Sequence, residues 1–307
     1  MASPDLKRSE EQGPRVVPNI QDEFSPLRKV LVVPTPEVFT RFNDLIVNPV
    51  QAKRVAEAKE KGPVEDVEVI PLAAPQHRKL LETLKNEGVE LVYSYAKPGR
   101  KGHTPSFTRD VGVVIGNRAL SSKMRHEYRQ GEVSAFVEVF DKDTLLNPNV
   151  PYKLEGGDLA LIEPNLALVC IGPRTNEVGL EVLRASFPDW EFIPVYQEGE
   201  KAFHLDTMMG ILGNKCMVYL VEIVPPETLS LLKKRGFSLV AADFSEFDTC
   251  CTNVLAISDR KIIAAAENKI TNERIRNSGI EVIEVELSSH LPSGGGPHCL
   301  TLPLIRS

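Results

Sequence analysis

Cysteine is scarce in this chain: five in 307 residues, with no CxxC pair and only Cys250 and Cys251 adjacent. That scarcity argues against a disulfide framework or a zinc ribbon and points to free thiols in a reducing, cytoplasmic setting. No apolar run approaches the roughly 20 residues that a bilayer span requires. The first residues lack the basic-then-apolar layout of a secretory signal. Nor is there a basic surplus: 36 Lys and Arg against 42 Asp and Glu leave a net charge of −6. Neither nucleic acid nor an anionic membrane is therefore an expected partner. A mildly acidic protein can still build a strongly acidic pocket, which suits a small cationic substrate. What is present, 42% hydrophobic and 25% charged residues, is the mix of a soluble globular protein.

Residues 1–22 are polar, charged and proline-containing, too poor in apolar side chains to fold alone, and read as a flexible tail. That leaves 23–307 as a single α/β domain. Lys29 to Val33 is a β-branched run closed by Pro34 and Pro36, hence a first strand. Gln51 to Lys61 and Gln76 to Asn86 read as helices, the second feeding a strand at Val89 to Tyr93. A repeated texture follows. Gly112–Ile115, Asp158–Ile162, Met209–Leu212 and Asn253–Ile257 each turn through two or three polar residues into a second apolar run. The last three are followed by a helical stretch and another strand. With Lys29 to Tyr93 this makes five strand–strand–helix–strand units, recurring roughly every 50 residues, and a closed ring buries their open faces. An ordinary doubly wound sheet fits less well, because its parallel strands need crossovers where hairpins recur here.

Polar residues collect just ahead of these units: Phe107-Thr108-Arg109-Asp110, Glu155-Gly156-Gly157-Asp158 and Phe203-His204-Leu205-Asp206-Thr207. A glycine run leads through Gly294-Gly295-Gly296-Pro297-His298 to Cys299, read as the start of the last strand. Equivalent strand ends in a ring converge, so carboxylates, one imidazole and one thiol are expected at one place. Each signal has a plainer reading. Asp110 after Arg109 can be half of a surface ion pair, and Asp158 reads as a structural turn residue. His204 and Asp206, two apart on one strand face, fit a core pair or two metal ligands. Cys170, Cys216, Cys250 and Cys251 read as packing residues. His298 is set aside as a base for Cys299, because neighbouring strand residues face opposite sides.

Taken together and in this order, FTRD, EGGD, HLDT and GGGPHCLTLPL resemble the motifs of the guanidine-modifying (pentein) superfamily: arginine deiminases, dimethylarginine hydrolases and amidinotransferases. The resemblance covers residues 25–307. It implies a five-bladed α/β propeller of ββαβ modules with pseudo-fivefold symmetry, which agrees with the repeat count. It assigns Cys299 as nucleophile, His204 as general acid/base and Glu155 as the carboxylate that orients His204. Asp110 and Asp206 correspond to the pair that grips the guanidinium nitrogens. Arg129 and Arg174 resemble the deiminase arginines that hold the substrate α-carboxylate. His-Leu-Asp favours the deiminase branch, since dimethylarginine hydrolases usually carry Lys where Asp206 stands. Two departures are visible: Gly294 occupies a position where deiminases tend to place Arg, and their long helical insertion is absent.

The activity so implied is cysteine-dependent hydrolysis of a guanidino compound, foremost arginine to citrulline and ammonia, through a thiouronium intermediate. Methylarginine hydrolysis and amidino transfer are the neighbouring alternatives. A metal-dependent hydrolase using His204, Asp206, Glu155 and Cys299, or a scaffold without activity, belong to other classes. No metal or organic cofactor is required. Acidic neighbours oppose ionisation of Cys299, so the bound cation is expected to assist it. The segment from Thr35 to Asn48, with Phe39, Arg41, Phe42 and Asn43, is a candidate lid. A homo-oligomer stays open.

Overall fold

In the computed structural model, residues 15–36, 40–42, 67–69, 72–95, 106–197 and 204–307 are described. Within them the chain makes five three-stranded sheets of one pattern and a separate two-stranded ribbon. Four sheets start with a sequence-local hairpin: β5 (Gly112–Ile115) with β6 (Arg118–Ser121), and β8 (Leu159–Glu163) with β9 (Leu166–Ile171). The others are β11 (Met209–Gly213) with β12 (Cys216–Tyr219), and β14 (Leu255–Ser258) with β15 (Lys261–Ala265). Three of these hairpins carry the same register shift ahead of the turn. Each of the three then places one residue in the left-handed region: Asn165, Lys215 or Arg260. A shared irregularity of this kind marks one supersecondary unit used repeatedly.

The third strand of each sheet runs parallel to the second, and a parallel neighbour demands a crossover. Among the four hairpin sheets, helices supply it in three: α3 (Glu177–Ser186) before β10 (Glu191–Tyr196), α4 (Pro226–Lys234) before β13 (Ser238–Ala241), and α5 (Lys269–Asn277) before β16 (Glu281–Val285). Asn176 accepts the Gly179 N–H to cap α3, while Pro226 opens α4 where its missing N–H costs nothing. In the β5 unit the crossover is instead a 3-10 stretch, Glu127–Val133, and the short helix α2 (Ser134–Val137), ending in β7 (Leu145–Leu146).

The first unit differs from the sequence reading. Its strand β1 (Leu27–Val32) pairs in parallel with β4 (Glu90–Tyr93), linked through helix α1 (Ala73–Asn86). Its antiparallel partner, however, is β17 (Leu302–Arg306), from the far end of the sequence. Local hairpin chemistry could not reveal that pairing. Leu80, Leu81 and Leu84 of α1 are buried, each contributing about 1.5–3 kcal/mol by leaving water.

Residues 15–22, read as the end of the tail, are seated on the body. Val16 and Ile20 are buried, and Ile20 exchanges both backbone hydrogen bonds with Gly116. The Val16 N–H bonds the Val139 carbonyl, while Asn19 and Ile20 bridge β17 and Gly116 just past the end of β5, a benefit no local composition expresses. The expected lid lies largely outside the described residues, at 37–39 and 43–48, as does the helix at 51–61. Thr40–Phe42 forms strand β2, paired with β3 (Val67–Val69).

Candidate active site

Ahead of the first strand of each sheet the backbone tightens into a turn, and the polar residues ride on those turns. Asp110 sits in the 3-10 turn Thr108–Val111 before β5, and Glu155 immediately precedes Gly156–Asp158 before β8. His204 and Asp206 flank and enter Leu205–Thr207 before β11. Asn253 lies two residues before β14, and Cys299 three before β17. The turn at Gly156–Asp158 lies against both Thr108–Val111 and Leu205–Thr207. All these side chains are buried. His204 and Asp206 are therefore not on a strand: the turn aims them at different partners.

His204 Nε2 is 2.8 Å from Glu155 Oε2, and its Nδ1 lies 3.6 Å from Asp110 Oδ1. Burial pulls this imidazole down, but Asp110, Asp158 and the hydrogen bond to Glu155 outweigh it and bring it to about 9. Burial pushes the Glu155 carboxyl up, yet Arg174 and His204 hold it well below the ordinary range. The pair thus rests as imidazolium and carboxylate, an acid ready to donate. Arg174 Nη1 donates to Glu155 Oε2 at 2.8 Å, and the Arg125 N–H to Oε1 at 2.9 Å. Asp158, read from sequence as a turn residue, instead accepts from two distant groups, Thr175 Oγ1 and the Leu205 N–H, and so ties its turn to the one that carries His204. Burial lifts its carboxyl to about 7.

Cys299 is held by Asp206 and Asn253. Its S–H donates to Asp206 Oδ2 at 3.2 Å, and Asn253 Nδ2 donates to the sulfur at 3.0 Å. Asn253 Oδ1 accepts from the backbone N–H groups of Gly296 and Cys299, so one amide holds both the glycine loop and the cysteine. Burial raises the thiol well above its ordinary value, and Asp206 and Asp110 raise it further. Sequence reasoning missed Asn253. Its place at the start of the fourth hairpin, where every other unit contributes a polar residue, was the available signal. Asn253→Ala removes an N–H that a thiolate would accept, a bond worth about 1.5–3 kcal/mol. Steady-state kinetics on the variant should show a loss of about 10- to 100-fold in kcat.

Both expected guanidinium-binding acids have one oxygen occupied and one open. Asp110 Oδ2 takes Arg129 Nη1 at 2.9 Å, and Asp206 Oδ2 takes His298 Nδ1 at 2.9 Å. Asp110 Oδ1 and Asp206 Oδ1 are buried without a hydrogen bond among the described residues. Two buried acceptors left open are costly unless a donor arrives. Arg129 also bonds Glu132. It and Arg174 are thus committed to carboxylates in the structure, and reaching a substrate carboxylate would mean leaving them. At Gly294, where deiminases tend to carry Arg, φ is 91°, a region L side chains rarely adopt.

Asp110, Glu155 and His204 form a ligand-capable group, one atom of each within 4.8 Å of the others. It contains neither Asp206 nor Cys299. Arg129 and Arg174 place two fixed cations beside it, so a divalent ion would meet like charge there. The donor set fits a metal poorly.

Gly157 is needed for a spatial reason. A Cβ there would meet Asp110 Oδ1, His204 Cγ and His204 Nδ1, each at 2.9 Å. Gly157→Ala should therefore displace the imidazole or the carboxylate and lower kcat/KM by about 100-fold, as misplacements near 1 Å do. Activity near wild type in a folded G157A would show that the gap between these groups is not used.

Known proteins resemble this chain in sequence and in fold. A family model described as N,N dimethylarginine dimethylhydrolase, eukaryotic, matches residues 46–306. The uncharacterized protein YkgA of Bacillus subtilis (strain 168) is 32% identical over 238 residues, 77% of this chain and 82% of its own length. An arginine deiminase of Listeria monocytogenes serovar 1/2a is 28% identical over 251 residues, 65% of this chain but only 60% of that enzyme. Among solved structures, the amidinotransferase SxtG from Microseira wollei superposes with a TM-score of 0.72 at 18% identity, covering 95% of this chain and 98% of SxtG, a likeness of fold. The chain belongs to the N,N-dimethylarginine dimethylhydrolase family, within the guanidine-modifying superfamily whose arginine deiminases and dimethylarginine hydrolases cut amidine C–N bonds.

Proposed function

We propose that the chain hydrolyses the guanidinium group of arginine, giving citrulline and ammonia. The observation that carries this is the pair of open, buried oxygens, Asp110 Oδ1 and Asp206 Oδ1, in one site with the Cys299 thiol and the His204–Glu155 pair. A planar cation with N–H donors on both edges satisfies both oxygens, and an unmethylated guanidinium has such donors. Its charge also reverses the field that keeps Cys299 protonated. The thiolate then adds to the central carbon, and the C–N bond breaks as His204 protonates the leaving ammonia. Neutral His204 next takes a proton from water, which attacks the thiouronium carbon. The C–S bond breaks with its electron pair returning to the Cys299 sulfur, the adduct's hydroxyl proton passes to solvent, and the ureido product leaves. Arginine plus water thus balances citrulline plus ammonia without a cofactor.

The same reading takes the five like sheets as the blades of a closed, pseudo-fivefold propeller, with β1 and β17 joining its ends. Five free cysteines and the absence of a membrane-crossing helix among the described residues support a cytoplasmic setting. A second substrate reading, methylated arginine, is favoured by the matching family model. Against it stands Asp206, since dimethylarginine hydrolases usually carry Lys there. Purified protein given arginine, methylarginines, agmatine and guanidinoacetate separately, with ureido product, ammonia and methylamines measured, decides between them. Citrulline and equimolar ammonia from arginine without an acceptor is the expected result. Turnover confined to methylarginines would overturn it in favour of the second reading.

A further inference from the structure

Behind Asp206 the hydrogen bonding continues away from the reacting atoms. His298 Nδ1 meets Asp206 Oδ2 at 2.9 Å, and its Nε2 meets Glu23 Oε2 at 3.0 Å. Glu23 also accepts the Leu161 N–H and lies 3.8 Å from Arg109 Nη1. Arg109 in turn approaches the His298 carbonyl through its Nε at 3.5 Å. Glu23, Asp206 and His298 are all buried.

The sequence reading turned His298 away from Cys299 on the rule that strand neighbours alternate. Residues 297–300 form turns instead, so alternation does not apply. Both residues consequently address the same oxygen, Asp206 Oδ2. The ring bridges two carboxylates. Burial pushes Glu23 up, but Arg109 and His298 bring it down to about 2, and Asp206 is likewise held low despite burial. Ionised carboxylates only accept, so both contacts are satisfied together when the ring carries both N–H groups.

We propose that His298, clamped between Glu23 and Asp206, is a positioning residue that aims the open oxygen of Asp206 at the substrate and offsets the negative charge beside Cys299. It parallels Arg129 behind Asp110: each open acid has its other oxygen held by a side-chain nitrogen, from Arg129 or from His298. Glu23, contributed by the segment just before β1, thereby becomes part of the site's support. The other charged groups facing this cluster are Arg109 and Arg306 near Glu23, and His204 and Asp110 on the substrate side. Loss of the ring's charge leaves Asp206 uncompensated beside the sulfur, which makes thiolate formation harder. Loss of its N–H also frees Asp206 to rotate.

The kinetic consequence rests on the proposed function, but the thiol consequence does not. Full-length His298→Gln, Glu23→Gln and the double variant are compared with wild type, with melting checked to confirm folding. Alkylation of Cys299 by iodoacetamide, followed by mass spectrometry across pH without substrate, is the first readout. His298→Gln is expected to slow alkylation about tenfold at a given pH, equivalent to moving its profile up by about one unit. Glu23→Gln should do the same to a smaller degree, and adding it to His298→Gln should change little more, because Glu23 acts through the ring. With a turned-over substrate, His298→Gln should raise KM about tenfold as well as lower kcat. A folded His298→Gln with wild-type alkylation overturns the proposal, as does wild-type alkylation in Glu23→Gln if the former cannot be purified. Lowered melting with unchanged alkylation means the triad is structural and also overturns it. Failure of every guanidino compound as substrate, with alkylation shifted as stated, would instead sink the functional reading alone.

Discussion

Replacing Cys299 by serine is expected to lower turnover by about 10⁴-fold or more, as removal of a catalytic nucleophile does, while a guanidino compound still binds. The serine hydroxyl can keep the bonds to Asn253 and Asp206, so the loop should stand. Its alkoxide is far less accessible than a thiolate at neutral pH. The variant also exposes the charge argument. Burial and then Asp206 and Asp110 hold the thiol well above its ordinary value, which keeps it neutral at rest. If the arriving cation ionises it, binding must release a proton. Calorimetry of a non-reacting guanidino analogue in buffers of different ionisation enthalpy should show that proton in wild type and not in Cys299→Ser. Equal release from both proteins would place the proton elsewhere, and full activity in Cys299→Ser would remove the nucleophile assignment.

The next largest loss belongs to His204. Asparagine there can still reach Glu155 but supplies no proton to the leaving nitrogen, and kcat should fall about 10³-fold. The pH dependence follows from two groups. His204 must be protonated and is held at about 9, whereas Cys299 must be ionised and is held higher still. Below about pH 9 the imidazole keeps its proton, so kcat/KM of wild type should climb with the thiolate fraction, about tenfold per unit. Above about 9 further thiol ionisation is offset by loss of the imidazolium, and the profile should flatten. In the complex the bound cation favours the thiolate, so the rising limb of kcat should lie at lower pH than that of kcat/KM. Coincident limbs would show that substrate does not assist ionisation.

Much of this was legible before any coordinates. Four hairpins, the α3, α4 and α5 crossovers and the spacing between units stand out because apolar runs break at turn residues and change period. Asp110, Glu155, His204, Asp206 and Cys299 were recognisable because short motifs of small and polar residues surround them. Asn253 was not, because a lone asparagine before a strand reads as a turn residue, and its bond to sulfur needs two segments 46 positions apart. His298 was read with the wrong neighbour rule, since the turn at 297–300 replaces a strand there. Arg129 and Arg174 look from sequence like groups waiting for a carboxylate; in three dimensions they already hold Asp110, Glu132 and Glu155.

By itself the amino-acid sequence determined the repeated unit, the family and the chemical kinds present in the site, because these depend on local period and on which side chains exist. Tertiary structure alone decided the pairing of β1 with β17 and the seating of residues 15–22. It also decided which oxygen of each aspartate has no hydrogen bond among the described residues, and that Arg129 and His298 stand at the other. Such contacts join segments far apart along the chain, so their energies come from burial and charge at a meeting point that no local stretch encodes.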